Sequence, residues 1–334
     1  MSPDVAGAGI EGGLVRADAV LRARDRIRPY VLRTPVVPMF GHEVRCKAEN
    51  LQASGSFKVR GAFNTVLQLT DAQRRSGIVA HSSGNHAIAV AMVGRVLDVA
   101  TTVVVPSDAP AVKIDRTRAL GATVEVVGPA SSERAERATQ IAATTGATLV
   151  EPYDSDAVIE ATASIALEAF EDVPEAGAPI GEVYVPVSGG GLAAGVALGT
   201  KMSDPGVRVI GVEPEVAADA LASRRAGRRV ELPAEQMART IADGLRVQRV
   251  GARPWVHLEA LLDDLVTVTE DEIRAAMGAV ASEAALVAEP SGATAVAAAI
   301  AGHGSGVAGR DRLAVVTGGN VELDRFCSLT AAVR

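Results

Sequence analysis

Short apolar runs alternate along the chain with longer stretches in which apolar residues recur at helical spacing. The apolar runs predict β-strands at residues 78–81, 99–105, 123–127, 182–187, 207–212 and 313–317. The longer stretches predict helices at residues 84–96, 111–120, 133–145, 157–170 and 193–201. Because the strands are apolar throughout, they predict mostly parallel sheets covered by helices on both faces. We therefore expect an α/β protein.

The predicted strands form two clusters, one before about residue 150 and one after Pro179. This grouping predicts two lobes with a cleft between them. The segment 174–179 contains one glycine and two prolines, which predicts a loop inside the second lobe.

Composition narrows the class of partner. The chain has 334 residues, 48% of them hydrophobic, and a formal net charge of −7 without a basic cluster, so we expect binding to neither nucleic acid nor membrane. Residues 1–13 lack the pattern of a secretory signal, and no window reaches the roughly 20 apolar residues of a membrane span. The two cysteines, Cys46 and Cys327, are far apart. Together these features predict a cytoplasmic protein with a small-molecule partner.

Lys58 is the first candidate for chemistry. It lies in the run SGSFKVRGAFN, residues 54–64, between a turn-forming Ser/Gly stretch and an apolar helical pattern. A desolvated lysine amine has a lowered pKa and can form a Schiff base. The ordinary alternative is a surface lysine, because most lysines are exposed.

A second candidate is the segment 188–192, with sequence SGGGL, between a predicted strand and a predicted helix. Three consecutive glycines let backbone amides converge at a helix N-terminus, which predicts a phosphate site. The alternative is a tight connection, for which one glycine would suffice. Glu213 lies where a ribose-binding acid would stand in a dinucleotide site, but the glycines are contiguous rather than spaced. One phosphate on a compact cofactor is the better interpretation.

Two further segments follow predicted strands. The run HSSGNH, residues 81–86, places hydroxyl, amide and imidazole groups at a helix start, where they would hold a carboxylate. Helix capping by a serine is the alternative, and it explains only one residue of the group. Thr317 ends the last strand, where parallel sheets bind ligands, although the motif in isolation could be a turn.

Taken in their order along the chain, the four segments resemble the serine/threonine dehydratase and serine racemase family of pyridoxal-phosphate enzymes. The resemblance runs from about Thr34 to Val321. The resemblance implies the tryptophan-synthase-β fold: two open, twisted, mostly parallel sheets covered by helices, with the active site in the cleft. It implies a large cofactor-binding domain of residues 1–52 and 155–334, and a small domain of residues 53–154 inserted in it.

The resemblance also implies roles for individual residues. Lys58 would carry the Schiff base and remove the Cα proton, and Asn85 would bond the phenolic oxygen of the cofactor. Thr317 would face the pyridine nitrogen and leave it unprotonated, which favours elimination. The cofactor-binding residues would be Phe57, Lys58, Asn85, Ser188, Gly189, Gly190, Gly191, Leu192, Glu289 and Thr317.

The expected reaction converts a β-hydroxy amino acid, L-threonine or L-serine, to a 2-oxo acid and ammonia. The substrate carboxylate would be held by Ser82, Ser83, Gly84, Asn85 and His86. Ser83 aligns with the serine that exchanges the proton on the opposite face in racemases, so serine racemase stays an alternative, as does 3-hydroxyaspartate ammonia-lyase. A sensor without turnover and a nicotinamide dehydrogenase are more distant alternatives. The glycine spacing disfavours the dehydrogenase.

The resemblance further implies a cation site formed by Glu213, Asp219 and the carbonyl group of Ala217. These ligands suit magnesium, with calcium or manganese as alternatives. Two acids at this spacing are also common on any protein surface. Members of the family are usually dimeric or tetrameric, so we expect a homodimer or homotetramer.

Three departures from the family pattern concern the substrate. Residues 160–164 read EATAS where the family has AGQGT, and we expect the close approach that those glycines allow to be lost. The segment from Thr34 to Cys46 is shorter than usual, and Ser188 replaces a common fourth glycine. No regulatory domain is expected after Val321, which favours a catabolic role.

Overall fold

The computed structural model describes residues 13–82, 84–107, 109, 111–128, 131–173, 178–304 and 309–331. Within these residues the strands form two sheets. The larger sheet has the order β1 (Val36–Pro38), β2 (Val44–Ala48), β10 (Asp311–Val316), β7 (Ile180–Pro186), β8 (Arg208–Pro214) and β9 (Asp264–Val268). The smaller sheet has the order β5 (Thr123–Val127), β4 (Thr101–Pro106), β3 (Ile78–His81) and β6 (Thr148–Leu149). Only β1 pairs antiparallel to its neighbour in the part of the chain described.

Helices connect the strands and cover the sheets. They are α1 (Ala17–Ile27), α2 (Lys58–Leu67), α3 (Asp71–Ser76), α4 (Asn85–Leu97), α5 (Ala111–Ala119), α6 (Ser131–Thr145), α7 (Asp156–Asp172), α8 (Gly191–Ser203), α9 (Asp219–Ala226), α10 (Ala234–Met237), α11 (Ala252–Leu261), α12 (Glu270–Glu283), α13 (Pro290–Ala301) and α14 (Leu323–Ala331). Short 3-10 turns occupy Glu49–Leu51, Glu215–Ala217 and Asp243–Leu245. No helix among the described residues is long and apolar enough to span a membrane.

The predicted α/β class with mostly parallel sheets is confirmed. Each of the six predicted strands is present, with ends displaced by no more than two residues. The strands of the smaller sheet all lie within the segment 53–154, and the proposed domain boundaries themselves stay a prediction. Residues 174–177 of the predicted loop, and residues 1–12 of the segment without a signal pattern, lie outside the described residues.

Two apolar cores lie on opposite faces of the larger sheet. Strand β7 is buried at every residue, as expected for a central parallel strand between two helical layers. One core contains residues of α7, α8 and α11, and the other contains residues of α12 and α13. A separate core beneath the smaller sheet includes residues of α2 and α4. The loops that precede α4 and α8 follow β3 and β7. They therefore lie at the carboxyl ends of parallel strands, which is where such sheets bind ligands.

The expected loss of close approach at residues 160–164 is wrong. These residues lie in α7, which packs tightly on α8, and glycines on α8 supply the space instead. A Cβ atom added to Gly195 would lie 2.1 Å from Oγ1 of Thr162, and one added to Gly199 would lie 2.3 Å from the carbonyl oxygen of Ala163. The two helices are therefore in close contact, and the glycines at this contact lie on α8.

Candidate active site

Lys58 is the first residue of α2, and the preceding residue fixes its position. The amide of Phe57 donates a 3.0 Å hydrogen bond to the carbonyl oxygen of Thr317, which places Lys58 beside the carboxyl end of β10. The Lys58 Nζ donates a 2.7 Å hydrogen bond to the carbonyl oxygen of Pro152. Burial lowers the pKa of Lys58 to about 8, because the charged form loses hydration. A large fraction of the amine is therefore neutral near pH 8 and able to act as a nucleophile or base.

The glycine loop requires glycine at more than one position. Gly190 has φ +90°, in the left-handed region, and a Cβ there would lie 2.8 Å from carbon atoms of Val250 and Pro254. A Cβ on Gly189 would lie 2.3 Å from the ring of Tyr153, and one on Gly191 would lie 2.5 Å from the carbonyl oxygen of Tyr153. The alternative interpretation of this loop, a tight connection that needs only one glycine, is therefore wrong.

The same loop provides backbone donors for an anion. Helix α8 begins at Gly191, and its first turn includes Leu192, which is buried. The amide of Ala194 donates a 2.9 Å hydrogen bond to the carbonyl oxygen of Gly190. Amides earlier in the turn have no acceptor within a helix, and they lie at the positive end of the helix dipole. Ser188 precedes them, and its Oγ accepts a 3.4 Å hydrogen bond from the amide of Val247. This geometry suits a phosphate group.

Thr162 is a residue that the sequence analysis did not assign to the site. Its hydroxyl lies 3.0 Å from the carbonyl oxygen of Gly191 and joins α7 to the first residue of α8. Thr162 is fully buried in the segment that departs from the family pattern. The departure was visible in the sequence, but no sequence signal indicates that the hydroxyl contacts the glycine loop.

Asn85 lies at the start of α4 and contacts two groups of the larger-sheet part, which comprises the described residues outside 53–154. Its Nδ2 donates a short hydrogen bond to Oε1 of Glu289, and its Oδ1 accepts a 2.8 Å hydrogen bond from Nδ2 of Asn320. Burial raises the pKa of Glu289 to about 7, and the charge of Asp243 adds to this effect. The structure thus brings Asn85 and Glu289 together, while their role in binding the cofactor stays a prediction.

Thr317 lies beside these groups at the end of β10. Its hydroxyl is buried and donates a 3.3 Å hydrogen bond to the carbonyl oxygen of Ser291. The following residue, Gly318, has no space for a side chain, since a Cβ there would lie 2.3 Å from Oε1 of Glu289. The neutral hydroxyl of Thr317 and the backbone that holds Lys58 are thus parts of one small region.

The loop before α4 contains the candidate carboxylate-binding residues. Ser82 Oγ accepts a 3.1 Å hydrogen bond from the amide of Gly84. His86 is buried, and desolvation lowers its pKa to about 3, with the charge of Lys58 adding to the effect. Ser83 lies outside the described residues.

The expected role of the His86 imidazole as a carboxylate donor is wrong. Nε2 of the ring lies 2.9 Å from the carbonyl oxygen of Val150, which can only accept, so Nε2 holds the proton and donates it there. The neutral ring therefore has no second N–H for a substrate. A contact between His86 and a carboxylate would use its backbone amide, which lies in the first turn of α4.

Glu213 and Asp219 form a buried acidic pair at the end of β8 and the start of α9. Oε1 and Oε2 of Glu213 accept hydrogen bonds of 2.9 and 2.8 Å from the amides of Ala220 and Leu221. Oδ2 of Asp219 accepts a 2.7 Å hydrogen bond from the amide of Val250.

Oδ1 of Asp219 is buried without a hydrogen bond in the described part of the protein. Burial raises the pKa of Asp219 to about 7, and burial together with the charge of Asp219 raises the pKa of Glu213. The described residues contain no group of three or more His, Cys, Asp or Glu side chains around a metal position, so a cation here would need carbonyl oxygens, such as that of Ala217. The unpartnered oxygen fits a hard cation.

A reactive lysine amine close to a helix N-terminus that suits a phosphate is the arrangement that pyridoxal-phosphate enzymes need. Residues 27–318 match the family model described as pyridoxal-phosphate dependent enzyme. The chain belongs to this family, as the resemblance predicted, and pyridoxal phosphate is its cofactor.

Three similar proteins carry different activities in their names. The chain is 39% identical to serine racemase of Arabidopsis thaliana over 84% of this chain and 85% of the relative. It is 35% identical to L-threo-3-hydroxyaspartate ammonia-lyase of Saccharomyces cerevisiae over 93% of this chain and 94% of the relative. The crystal structure of the T.th. threonine deaminase has a TM-score of 0.86 and 37% identity, covering 92% of this chain and 99% of that one. The predicted fold is thereby confirmed.

Proposed function

We propose that the protein is an ammonia-lyase that converts a β-hydroxy amino acid, L-threonine or L-serine, to a 2-oxo acid and ammonia. The observation that carries the proposal is the neutral hydroxyl of Thr317 at the end of β10, the strand to which the backbone of Phe57, the residue before Lys58, is hydrogen bonded. A neutral partner for the cofactor ring favours loss of a β-substituent over a long-lived carbanion. The threonine deaminase with 37% identity supports this choice.

The cofactor, when bound, supplies an electron sink for the electrons of the broken Cα–H bond. Lys58 accepts the Cα proton at Nζ, for which its lowered pKa is suited. The carbonyl oxygen of Pro152 orients this amine. The amides of the glycine loop would hold the phosphate group, and Asn85 and Thr317 would contact the ring.

The substrate carboxylate would bind at the start of α4. The hydroxyl of Ser82 and the amides of Asn85 and His86 provide donors near the positive end of the helix dipole, while the amide of Gly84 donates to Ser82 Oγ and orients this hydroxyl. Because the imidazole of His86 is neutral and bonded to Val150, it acts by shaping the loop rather than by its charge.

A 3-hydroxyaspartate ammonia-lyase is the second candidate, and one observation favours it. The amine of Lys113 lies 3.6 Å from the position that a Cβ would take on Gly84, so a cation stands next to the substrate loop. This amine also donates a 2.8 Å hydrogen bond to Asp243, which partly satisfies its charge. A substrate with a second carboxylate would compete with Asp243 for Lys113. Serine racemase remains an alternative, which analysis of the reaction product distinguishes from a lyase. The relative from Arabidopsis thaliana supports it.

We further propose a magnesium ion at Glu213, Asp219 and the Ala217 carbonyl group, and a homodimer or homotetramer in the cytoplasm. The unpartnered oxygen of Asp219 supports the ion. The exposed side chains of Phe40, 84% accessible, and Leu323, 71% accessible, are consistent with association of subunits.

The test is a product assay with the purified protein, pyridoxal phosphate and magnesium. Threonine, serine and 3-hydroxyaspartate are supplied in turn, and release of 2-oxo acid is measured together with chiral analysis of the remaining amino acid. Release with threonine or serine supports the proposal, and a preference for 3-hydroxyaspartate supports the second candidate. Racemisation without 2-oxo acid release would overturn both. The variant Lys58→Ala serves as the inactive control.

A further inference from the structure

The amide of Asn85 has a defined orientation because its two partners have opposite chemistry. Its Nδ2 donates to the carboxylate of Glu289, and its Oδ1 accepts from Nδ2 of Asn320 at 2.8 Å. An amide nitrogen carries two hydrogens, so this arrangement leaves one N–H of Asn85 for a ligand. A rotated Asn85 would direct an oxygen at Glu289 and would offer the ligand no donor on that side.

Asn320 fixes this orientation because its own amide cannot be reversed. Its Nδ2 donates a 3.0 Å hydrogen bond to the carbonyl oxygen of Ser54, which can only accept. Its Oδ1 accepts a 2.5 Å hydrogen bond from Nη1 of Arg116, which can only donate. The hydrogen bonds therefore have one direction, from the guanidinium group of Arg116 through Asn320 and Asn85 to the carboxylate of Glu289.

Arg116 belongs to the other part of the fold. It lies on α5, between strands β4 and β5 of the smaller sheet, whereas Asn320 follows β10 of the larger sheet. Lys113, one turn earlier on α5, donates a 2.8 Å hydrogen bond to Asp243, which also lies outside the smaller sheet. Two cations on one face of α5 thus hold this helix against the larger-sheet part.

We propose that Asn320 is a positioning residue that orients the amide of Asn85 toward the cofactor, and that Arg116 maintains this orientation from across the cleft. The inference rests on the proposed function only in placing the cofactor beside Asn85. The inference adds one condition. The free N–H group of Asn85 points toward the cofactor only while α5 is packed against the larger-sheet part.

The substitution Asn320→Asp should change the orientation of the Asn85 amide without changing the packing of α5. The introduced carboxylate keeps its partner Arg116, so α5 stays in place, but it has no N–H for Asn85 or for the carbonyl oxygen of Ser54. Asn85 then rotates to donate to this carboxylate and loses its donor toward the cofactor. Removal of one hydrogen bond between neutral groups predicts a rise of about fivefold in the dissociation constant for pyridoxal phosphate. The absorption maximum of the bound cofactor and its pH midpoint should shift as they do in Asn85→Ala.

The decisive measurement is a double-mutant cycle on cofactor affinity. Apoprotein of the wild type, Asn85→Ala, Asn320→Asp and the double variant is titrated with pyridoxal phosphate and monitored by absorbance. If Asn320 acts through Asn85, the double variant matches Asn85→Ala alone. Independent effects, which would multiply to about 25-fold, would overturn the inference, as would a wild-type spectrum in Asn320→Asp.

Substitutions of Arg116 provide a second test at an exposed position where the fold is not at risk. Arg116→Lys retains a group that can only donate and should retain the wild-type spectrum, whereas Arg116→Ala leaves only the carbonyl oxygen of Ser54 to orient Asn320 and should show a smaller shift in the direction of Asn320→Asp. Arg118→Ala, on the same helix with a 3.5 Å contact to Asp115, is the matched control. Equal spectra for the alanine and lysine variants would exclude a role for Arg116. If the wild type releases no 2-oxo acid but these spectral effects are present, only the lyase proposal is overturned.

Discussion

Arg60 donates hydrogen bonds of 2.8 Å from Nε and Nη2 to the two carboxylate oxygens of Glu49. Its Nη1 and Nη2 also donate 2.7 Å hydrogen bonds to the two oxygens of Glu168. Arg60 and Glu49 are completely buried, and Lys47 donates a 3.1 Å hydrogen bond to Glu168. Because Arg60 lies in the first turn of the helix that begins at Lys58, this network anchors the helix that carries the catalytic lysine.

Arg60→Ala should reduce the free energy of unfolding by about 3–5 kcal/mol, because it leaves two buried carboxylates with one cation between them. Denaturation by urea, with cofactor-free protein, measures the change. The control is Arg118→Ala, which removes an exposed ion pair and should change stability by no more than about 0.5 kcal/mol. Equal stability of Arg60→Ala and wild type would show that the network does not anchor α2.

Gly189→Ala should weaken cofactor binding, because the added Cβ would lie 2.3 Å from the ring of Tyr153 and would displace the loop. We expect at least about a tenfold rise in the dissociation constant for pyridoxal phosphate, measured by absorbance titration. The variant Gly278→Ala is the control, since the added Cβ would have no described atom within 4 Å beyond its chain neighbours and the backbone of its own helix. Recovery of affinity in Gly189→Ala with Tyr153→Ala would identify the ring as the cause. A double variant as weak as the single one would contradict this explanation.

The sequence predicted six strands because each has a run of mostly apolar residues. Strands β3 and β5 have the predicted ends, and β7 is displaced by up to two residues. The strands β1, β2, β6 and β9 were missed. β1 and β6 are only three and two residues long, β2 contains Arg45 and Lys47, and β9 contains Asp264 and Thr267, so none has a clear apolar run. Short edge strands depend on pairing with a neighbour, which local sequence does not show.

The candidate site shows the same division between local and tertiary information. Lys58, the glycine loop and Asn85 were found because each follows a strand or begins a helix, where the sequence pattern is informative. The bond from His86 to Val150, and the bond from Thr162 to Gly191, join residues far apart in the chain. Their partners are set by how the helices pack, and no spacing in the sequence identifies them.

Magnesium should stabilise the protein if Asp219 and Glu213 bind it. We expect magnesium chloride at about 5 mM, a concentration of the order that fills a weak site, to raise the melting temperature by about 2–4 °C. Sodium chloride at equal ionic strength should not do so. Asp219→Asn, which removes one of the two charges, should lose the magnesium response. The same rise in the variant and the wild type would place the ion elsewhere.

The covalent capture of pyridoxal phosphate by the apoprotein should depend on pH through Lys58. Only the neutral amine attacks the aldehyde of the cofactor, and burial lowers the Lys58 pKa to about 8. The initial capture rate should therefore rise with pH to a midpoint near 8, whereas free lysine, with a pKa of about 10.4, should show a midpoint more than two units higher. Stopped-flow absorbance from about pH 6 to about pH 10, with Lys58→Ala to measure reaction at other lysines, provides the profile. A midpoint near that of free lysine would mean that the fold does not desolvate this amine, and Lys58 would then be protonated when it is required to accept the Cα proton.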